Sequence, residues 1–141
     1  MTSRKETSKL RVLVVEDDVV AQKMMVDYMA PHGDCDIAVD GEEAIRAFRL
    51  SLEDNRSYDL ILMDIMMPNI NGMDALQKIR ELENDIGVVG PSEVKVIMTT
   101  ALGDPKTVVS SYYRSGATSY LVKPIGKEQL LNEVRNLGLI P

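Results

Sequence analysis

The chain has 141 residues, a formal net charge of −6 and one cysteine. The length fits one domain with an ordinary core, and the acidity argues against a nucleic-acid partner, which would need a basic stripe. A single cysteine excludes an internal disulfide framework, and Cys35 reads as a small core residue. No apolar stretch approaches the roughly 20 residues of a membrane span, so no membrane is expected. Residues 1–8 are polar and lack the apolar segment of a secretory signal. They read as a disordered N-terminal tail ahead of one domain at 9–141, and the expected location is the cytoplasm.

The first strand-like run, Arg11–Val15, ends in Glu16-Asp17-Asp18. Ala21, Met24, Met25 and Tyr28 then recur at i, i+3, i+4, i+7, one face of a helix that Pro31 and Gly33 end. Asp36–Val39 is the second strand. After the turn Asp40-Gly41, Ile45, Phe48 and Leu52 mark a second helix. Leu60–Met63 is an apolar strand ending in Asp64, followed by the loop Met66-Met67-Pro68-Asn69-Ile70-Asn71-Gly72. Leu76, Ile79 and Leu82 give a third helix, and Gly87, Gly90 and Pro91 an irregular connection. Val94–Thr99 is the fourth strand. Asp104 and Pro105 start a fourth helix as N-cap and first helical residue, with Val108 and Tyr112 facing inward. Ser119–Val122 is the fifth strand, ending in Lys123-Pro124, and Leu130, Val134 and Leu137 stripe the last helix.

Strict β-α alternation predicts an α/β fold, a doubly wound parallel sheet with helices on both faces. Right-handed crossovers put every strand's carboxyl end on one edge, where ligands bind in such sheets. Glu16, Asp17 and Asp64 meet there if the first and third strands are neighbours. Thr100 arrives from the fourth strand and Lys123 from the fifth, while Thr99 points to the other face. Two carboxylates about 6 Å apart repel by roughly 2–3 kcal/mol at an effective dielectric near 20. Such a cluster needs a cation. Oxygen-only donors select a hard one, with Mg²⁺ the usual choice beside phosphate. A Lys and a Thr hydroxyl can hold phosphoryl oxygens, and a carboxylate beside Mg²⁺ can itself become an acyl phosphate. Other charged and sulfur side chains have plainer readings: Asp18 and Asp59 cap or face solvent, His32 lies in a surface turn, and the methionines pack.

Taken together, Val14-Val15-Glu16-Asp17-Asp18, Met63-Asp64-Ile65-Met66-Met67-Pro68-Asn69-Ile70-Asn71-Gly72, Thr100-Ala101, Gly116-Ala117 and Tyr120-Leu121-Val122-Lys123-Pro124 resemble the receiver domain of two-component response regulators. The likeness runs from about Lys9 to Leu139. It implies the five-stranded flavodoxin-like (βα)5 order 2-1-3-4-5, the order of the chemotaxis receivers. It implies that Asp64 is the phosphoacceptor, that Asp17 ligates Mg²⁺, and that Glu16 helps directly or through water. The Met66 carbonyl would add a ligand. Thr100 would bind a phosphoryl oxygen, small Ala101 would leave access, and Lys123 would pair with the phosphoryl group. The Lys123-Pro124 peptide would be cis at Pro124, and Tyr120 would turn inward when Thr100 moves. The chain departs from the commoner pattern at Glu16, at Asn71 and at Gly126, and none of these removes a role. Met66 and Leu102, two places beyond Asp64 and Thr100, are apolar and flank the approach of water.

The function implied is phosphoryl transfer from a sensor histidine kinase or phosphotransfer protein to Asp64. That transfer would switch a protein-binding surface on the fourth helix, fifth strand and fifth helix, including Tyr112, Tyr113, Arg114 and Tyr120. The chain would be a signalling module that catalyses only its own phosphorylation and dephosphorylation. Only Leu139-Ile140-Pro141 follow the last helix, so, unless the chain is a fragment, no DNA-binding output domain is expected, and output would pass to a downstream protein by protein contacts or phosphorelay. Two other readings carry specific objections. A haloacid-dehalogenase-type phosphatase wants a second Asp two places after the nucleophile, where this chain has Met66. A receiver-like module that is never phosphorylated has no need of intact Asp17, Asp64, Thr100 and Lys123.

Overall fold

Val12 to Val15 and Leu60 to Met63 are apolar on both alternating faces, and all eight are at most 2% exposed. Strands buried on both sides belong in the middle of a parallel sheet. The computed structural model describes residues 9–101 and 116–141 and places them there. The elements are β1 (Leu10–Val15), α1 (Val19–Met29), β2 (Gly33–Ala38), α2 (Gly41–Glu53), β3 (Leu60–Asp64), α3 (Gly72–Asp85), β4 (Lys95–Thr100), β5 (Ser119–Val122) and α4 (Lys127–Asn136). The helix expected from Asp104-Pro105, with Leu102, Val108, Tyr112, Tyr113 and Arg114, lies outside the described residues. All strands pair in parallel in the order β2-β1-β3-β4-β5. This is the flavodoxin-like order expected above.

Each sheet face carries its own core. Leu13, Val15, Ile61 and Met63 pack with Phe48 of α2 and Leu76 and Ile79 of α3. Val12, Val14, Leu60 and Leu62 pack with Met25 and Met29 of α1 and Leu130 and Val134 of α4. Helix starts are capped where strands end. Asp18 accepts from the Ala21 amide at 2.8 Å, Asp40 from Glu43 at 2.8 Å and Asn71 from Asp74 at 2.9 Å. Each such cap stabilises by about 1 kcal/mol and fixes the loop before it.

Three sequence expectations need correction. β2 starts at Gly33, not Asp36, because Leu10 pairs with Gly33 and donates to the His32 carbonyl at 3.1 Å. A Cβ at Gly33 would sit 2.4 Å from the Leu10 carbonyl oxygen, so this glycine permits strand pairing rather than merely ending α1. The buried face of α1 is Met25 and Met29; Met24 is 38% exposed and Ala21 and Tyr28 only half-buried. Met24 instead lines a cleft with Ala101, Pro124 and Ile125. Cys35 is half-buried, because β2 is an edge strand. Asp34 and Asp36 on that edge discourage pairing with a foreign strand.

Two polar clusters escape the sequence pattern. Arg11 stacks 4.6 Å from the Tyr58 ring centroid and pairs with Asp36 at 3.1 Å, and the Tyr58 hydroxyl donates to Asp36 at 2.7 Å. Glu83, 2% exposed, accepts from Arg80 at 2.8 Å and from the Val94 amide at 2.7 Å. Arg80 also donates to the carbonyls of Val94 and Gly116. This pair closes the long α3–β4 connection and ties it to the approach of β5.

Alkaline pH should destabilise the fold. Burial, with Asp36 adding, pushes the Cys35 thiol from 9.0 up to about 11 and the Tyr58 phenol from 10.0 up to about 12. Both groups hold protons more tightly when folded. Their contribution is complete below about pH 9 and is lost as pH rises from there toward 12. Lys123, also raised above 10.5, acts with the same sign. Urea melts at intervals above about pH 8 should show falling stability, with a shallower fall in Tyr58→Phe. Identical slopes in variant and wild type would contradict the Tyr58 assignment.

Candidate functional site at the carboxyl edge of the sheet

β1 delivers Glu16 to the edge, where its amide continues the ladder to the Ala38 carbonyl at 3.0 Å. Glu16 is 4% exposed, while Asp17, one residue on, is exposed. β3 delivers Asp64, 5% exposed, whose Oδ1 accepts from the Met66 amide at 3.1 Å. β4 delivers Thr100, 5% exposed, with its hydroxyl on the Ala101 carbonyl at 3.3 Å. β5 delivers Lys123, whose amide donates to the Thr100 carbonyl at 2.6 Å. Its Nζ lies 3.0 Å from Glu16 Oε2 and 3.3 Å from Asp64 Oδ2. The Lys123–Pro124 peptide is cis. Tyr120, three residues earlier on β5, is half-buried against the first core rather than in the acidic cluster.

Glu16, Asp17 and Asp64 each present a carboxylate oxygen within 4.8 Å of the others. Burial holds the Glu16 carboxyl above its ordinary value; the Asp64 charge adds to this, and the hydrogen bond from Lys123 opposes it. For Lys123, burial pulls downward. The hydrogen bond to Glu16 and the charges of Asp64 and Glu16 outweigh it, so the ammonium is held above its usual range. The cluster is therefore not the uncompensated trio that the spacing suggests. Lys123 already offsets two of its members.

The donor chemistry fits a hard divalent cation. All donors are oxygens, two are buried, and exposed Asp17 stands at the mouth. Glu16 has both oxygens engaged, Oε2 by Lys123 and Oε1 by the Asp18 amide at 3.3 Å. That engagement suits Glu16 to contact through water.

The loop beyond Asp64 returns tightly. The Gly72 amide donates to the Ile65 carbonyl at 2.8 Å, and a Cβ on Gly72 would sit 2.4 Å from the Asp64 carbonyl oxygen and 2.9 Å from Ile65 Cα. Backbone cannot move aside cheaply, so Gly72→Ala should cost about 1–3 kcal/mol and displace Asp64. A chemical-denaturation midpoint equal to wild type would refute that packing.

Sequence reasoning missed Gln22, whose side-chain amide donates to the Glu16 carbonyl at 2.7 Å. A lone Gln on a helix carries no positional signal of that kind.

Comparison with known proteins agrees with the geometry. A family model described as "Response regulator receiver domain" matches residues 12–135. The probable transcriptional regulator ycf29 of Porphyra purpurea is 33% identical over 89% of this chain and 55% of its own length. The chemotaxis protein CheY of Treponema pallidum is 30% identical over 90% of this chain and 81% of its own. Among solved structures, a CheX-CheY-BeF3-Mg²⁺ complex from Borrelia burgdorferi matches with a TM-score of 0.78 and 25% identity, over 94% of this chain and 92% of the other. The chain thus spans about half the length of the first curated relatives it matches.

Proposed function

This chain belongs to the response regulator receiver domain family, and we propose that within it Asp64 accepts a phosphoryl group from a histidine kinase or phosphotransfer protein. One observation carries the reading: Lys123 Nζ lies between buried Asp64 and Glu16, with exposed Asp17 at the same opening. The residues that would hold Mg²⁺ are Asp17 and Asp64, with Glu16 through water and the Met66 carbonyl. Mg²⁺ there supplies neutralisation of charge on the phosphoryl oxygens. An Asp64 carboxylate oxygen attacks phosphorus as the donor's phosphorus–nitrogen bond breaks, leaving the donor imidazole and an aspartyl phosphate. Lys123 exchanges its Asp64 contact for a phosphoryl oxygen. The Thr100 hydroxyl turns from the Ala101 carbonyl to donate to another, and Tyr120 follows it inward. The changed surface, on β5, α4 and the residues before β5, is read by a downstream protein. The module occupies 9–141, acts only on its own acyl phosphate and works in the cytoplasm.

Incubation with acetyl phosphate tests this by intact mass. With Mg²⁺ the protein should gain one acid-labile phosphoryl group. With a chelator it should gain none, and Asp17→Asn should need far more Mg²⁺. Equal uptake in chelator would refute the metal's role, and no uptake under any condition would refute the function.

A further inference from the structure

We propose that Gln22 is a positioning residue for the acidic loop and sets its affinity for a divalent cation; this rests on the reading of the site given above. Gln22 lies on the first turns of α1, beside Val19 and Val20, which are 70% and 66% exposed. Its side chain is partly buried and its Nε2 donates to the Glu16 carbonyl at 2.7 Å. That carbonyl sits where the sheet runs out, since β2 ends at Ala38, the partner of Val15. Beyond it the loop is held by a few short links. The Asp18 amide meets Glu16 Oε1 at 3.3 Å, the Ala21 amide meets Asp18 Oδ2 at 2.8 Å, and the Gln22 amide meets the Asp18 carbonyl at 2.9 Å. Gln22 therefore closes a ring from α1 back onto Glu16, with Asp17 inside it.

The chemistry of the donor matters. A neutral amide satisfies the carbonyl without adding charge. A Lys or Arg reaching the same oxygen would bring a second cation beside Lys123 and compete with a metal. With the ring closed, Asp17 is presented in place beside Asp64. With it open, a cation must first order the loop, and apparent affinity falls by the fraction of time the loop is in place.

Calorimetric titration of the purified full chain with MgCl₂ tests this on wild type, Gln22→Met, Gln22→Ser and Lys23→Met. Met keeps the bulk without the donor, Ser is too short to reach, and Lys23→Met is an exposed neighbour as control. Both Gln22 variants should bind Mg²⁺ about three- to tenfold more weakly at unchanged stoichiometry. Phosphoryl uptake from acetyl phosphate should be slower at limiting Mg²⁺ and equal to wild type at saturation. Wild-type affinity in the Gln22 variants overturns the proposal, including the case where only their metal-free melting temperature falls. A wild type that binds no Mg²⁺ overturns the reading of the site itself, a distinguishable result.

Discussion

Asp64→Asn should take up no phosphoryl group from acetyl phosphate and Mg²⁺ under conditions that label the wild type fully. The amide has nearly the same shape, and its carbonyl oxygen can still accept from the Met66 amide, now at 3.1 Å from Asp64. What it lacks is the anionic oxygen that the proposed attack on phosphorus requires. Asp17 cannot substitute, because it is exposed and, among the described residues, has no lysine held against it as Asp64 has at 3.3 Å. The expected effect is loss to background, read by intact mass with circular dichroism confirming the fold. Labelling of the variant at the wild-type level would place the acceptor elsewhere.

Lys123→Met should cost about 2–4 kcal/mol in metal-free buffer, close to the usual cost of stripping one partner from a buried ion pair. The two carboxylate side chains it leaves are only 5% and 6% exposed, while the lysine is 28% exposed, which moderates the loss. Glu16, already held above its ordinary value chiefly by burial, would rise further without the opposing hydrogen bond. Its raised carboxyl stabilises most at acid pH, and that contribution disappears as pH rises through the folded value. The penalty in Lys123→Met should therefore grow from about pH 4 toward neutrality. Mg²⁺ should then raise its melting temperature more than that of wild type, since the metal takes over the role of the missing ammonium. Equal melting temperatures for variant and wild type without metal would contradict the account.

Much of the edge site is legible in the sequence because parallel strands finish together. The apolar runs ending in Glu16-Asp17, Asp64 and Lys123 announce both the sheet and the edge where these side chains meet. Other features are not legible. Arg80 and Glu83 have the same three-residue spacing as Lys78 and Glu81 on the same helix. In the first pair Glu83 is buried and Arg80 half-buried, 2.8 Å apart, and the two clamp a loop; the second pair is exposed at 3.7 Å. Helical spacing cannot tell them apart, because the difference lies in where the α3–β4 connection returns. The apolar pattern misassigns the facing of α1 for a related reason: adjacent Met24 and Met25 both satisfy it, and only packing in the core shared with the sheet and α4 selects Met25 and Met29. The motif pairs Lys123 with a phosphoryl group. That Lys123 also bridges Glu16 and Asp64 depends on distances between three strands, which no local pattern carries.

Reduction of the phosphorylated protein with sodium borohydride, followed by peptide mapping, tests the central claim most directly. An aspartyl phosphate is converted to homoserine at the residue that carried it. The account predicts homoserine at position 64 and nowhere else, only after treatment with acetyl phosphate and Mg²⁺. Homoserine at Asp17 or another carboxylate, or phosphate retained on a hydroxyl side chain, would contradict it.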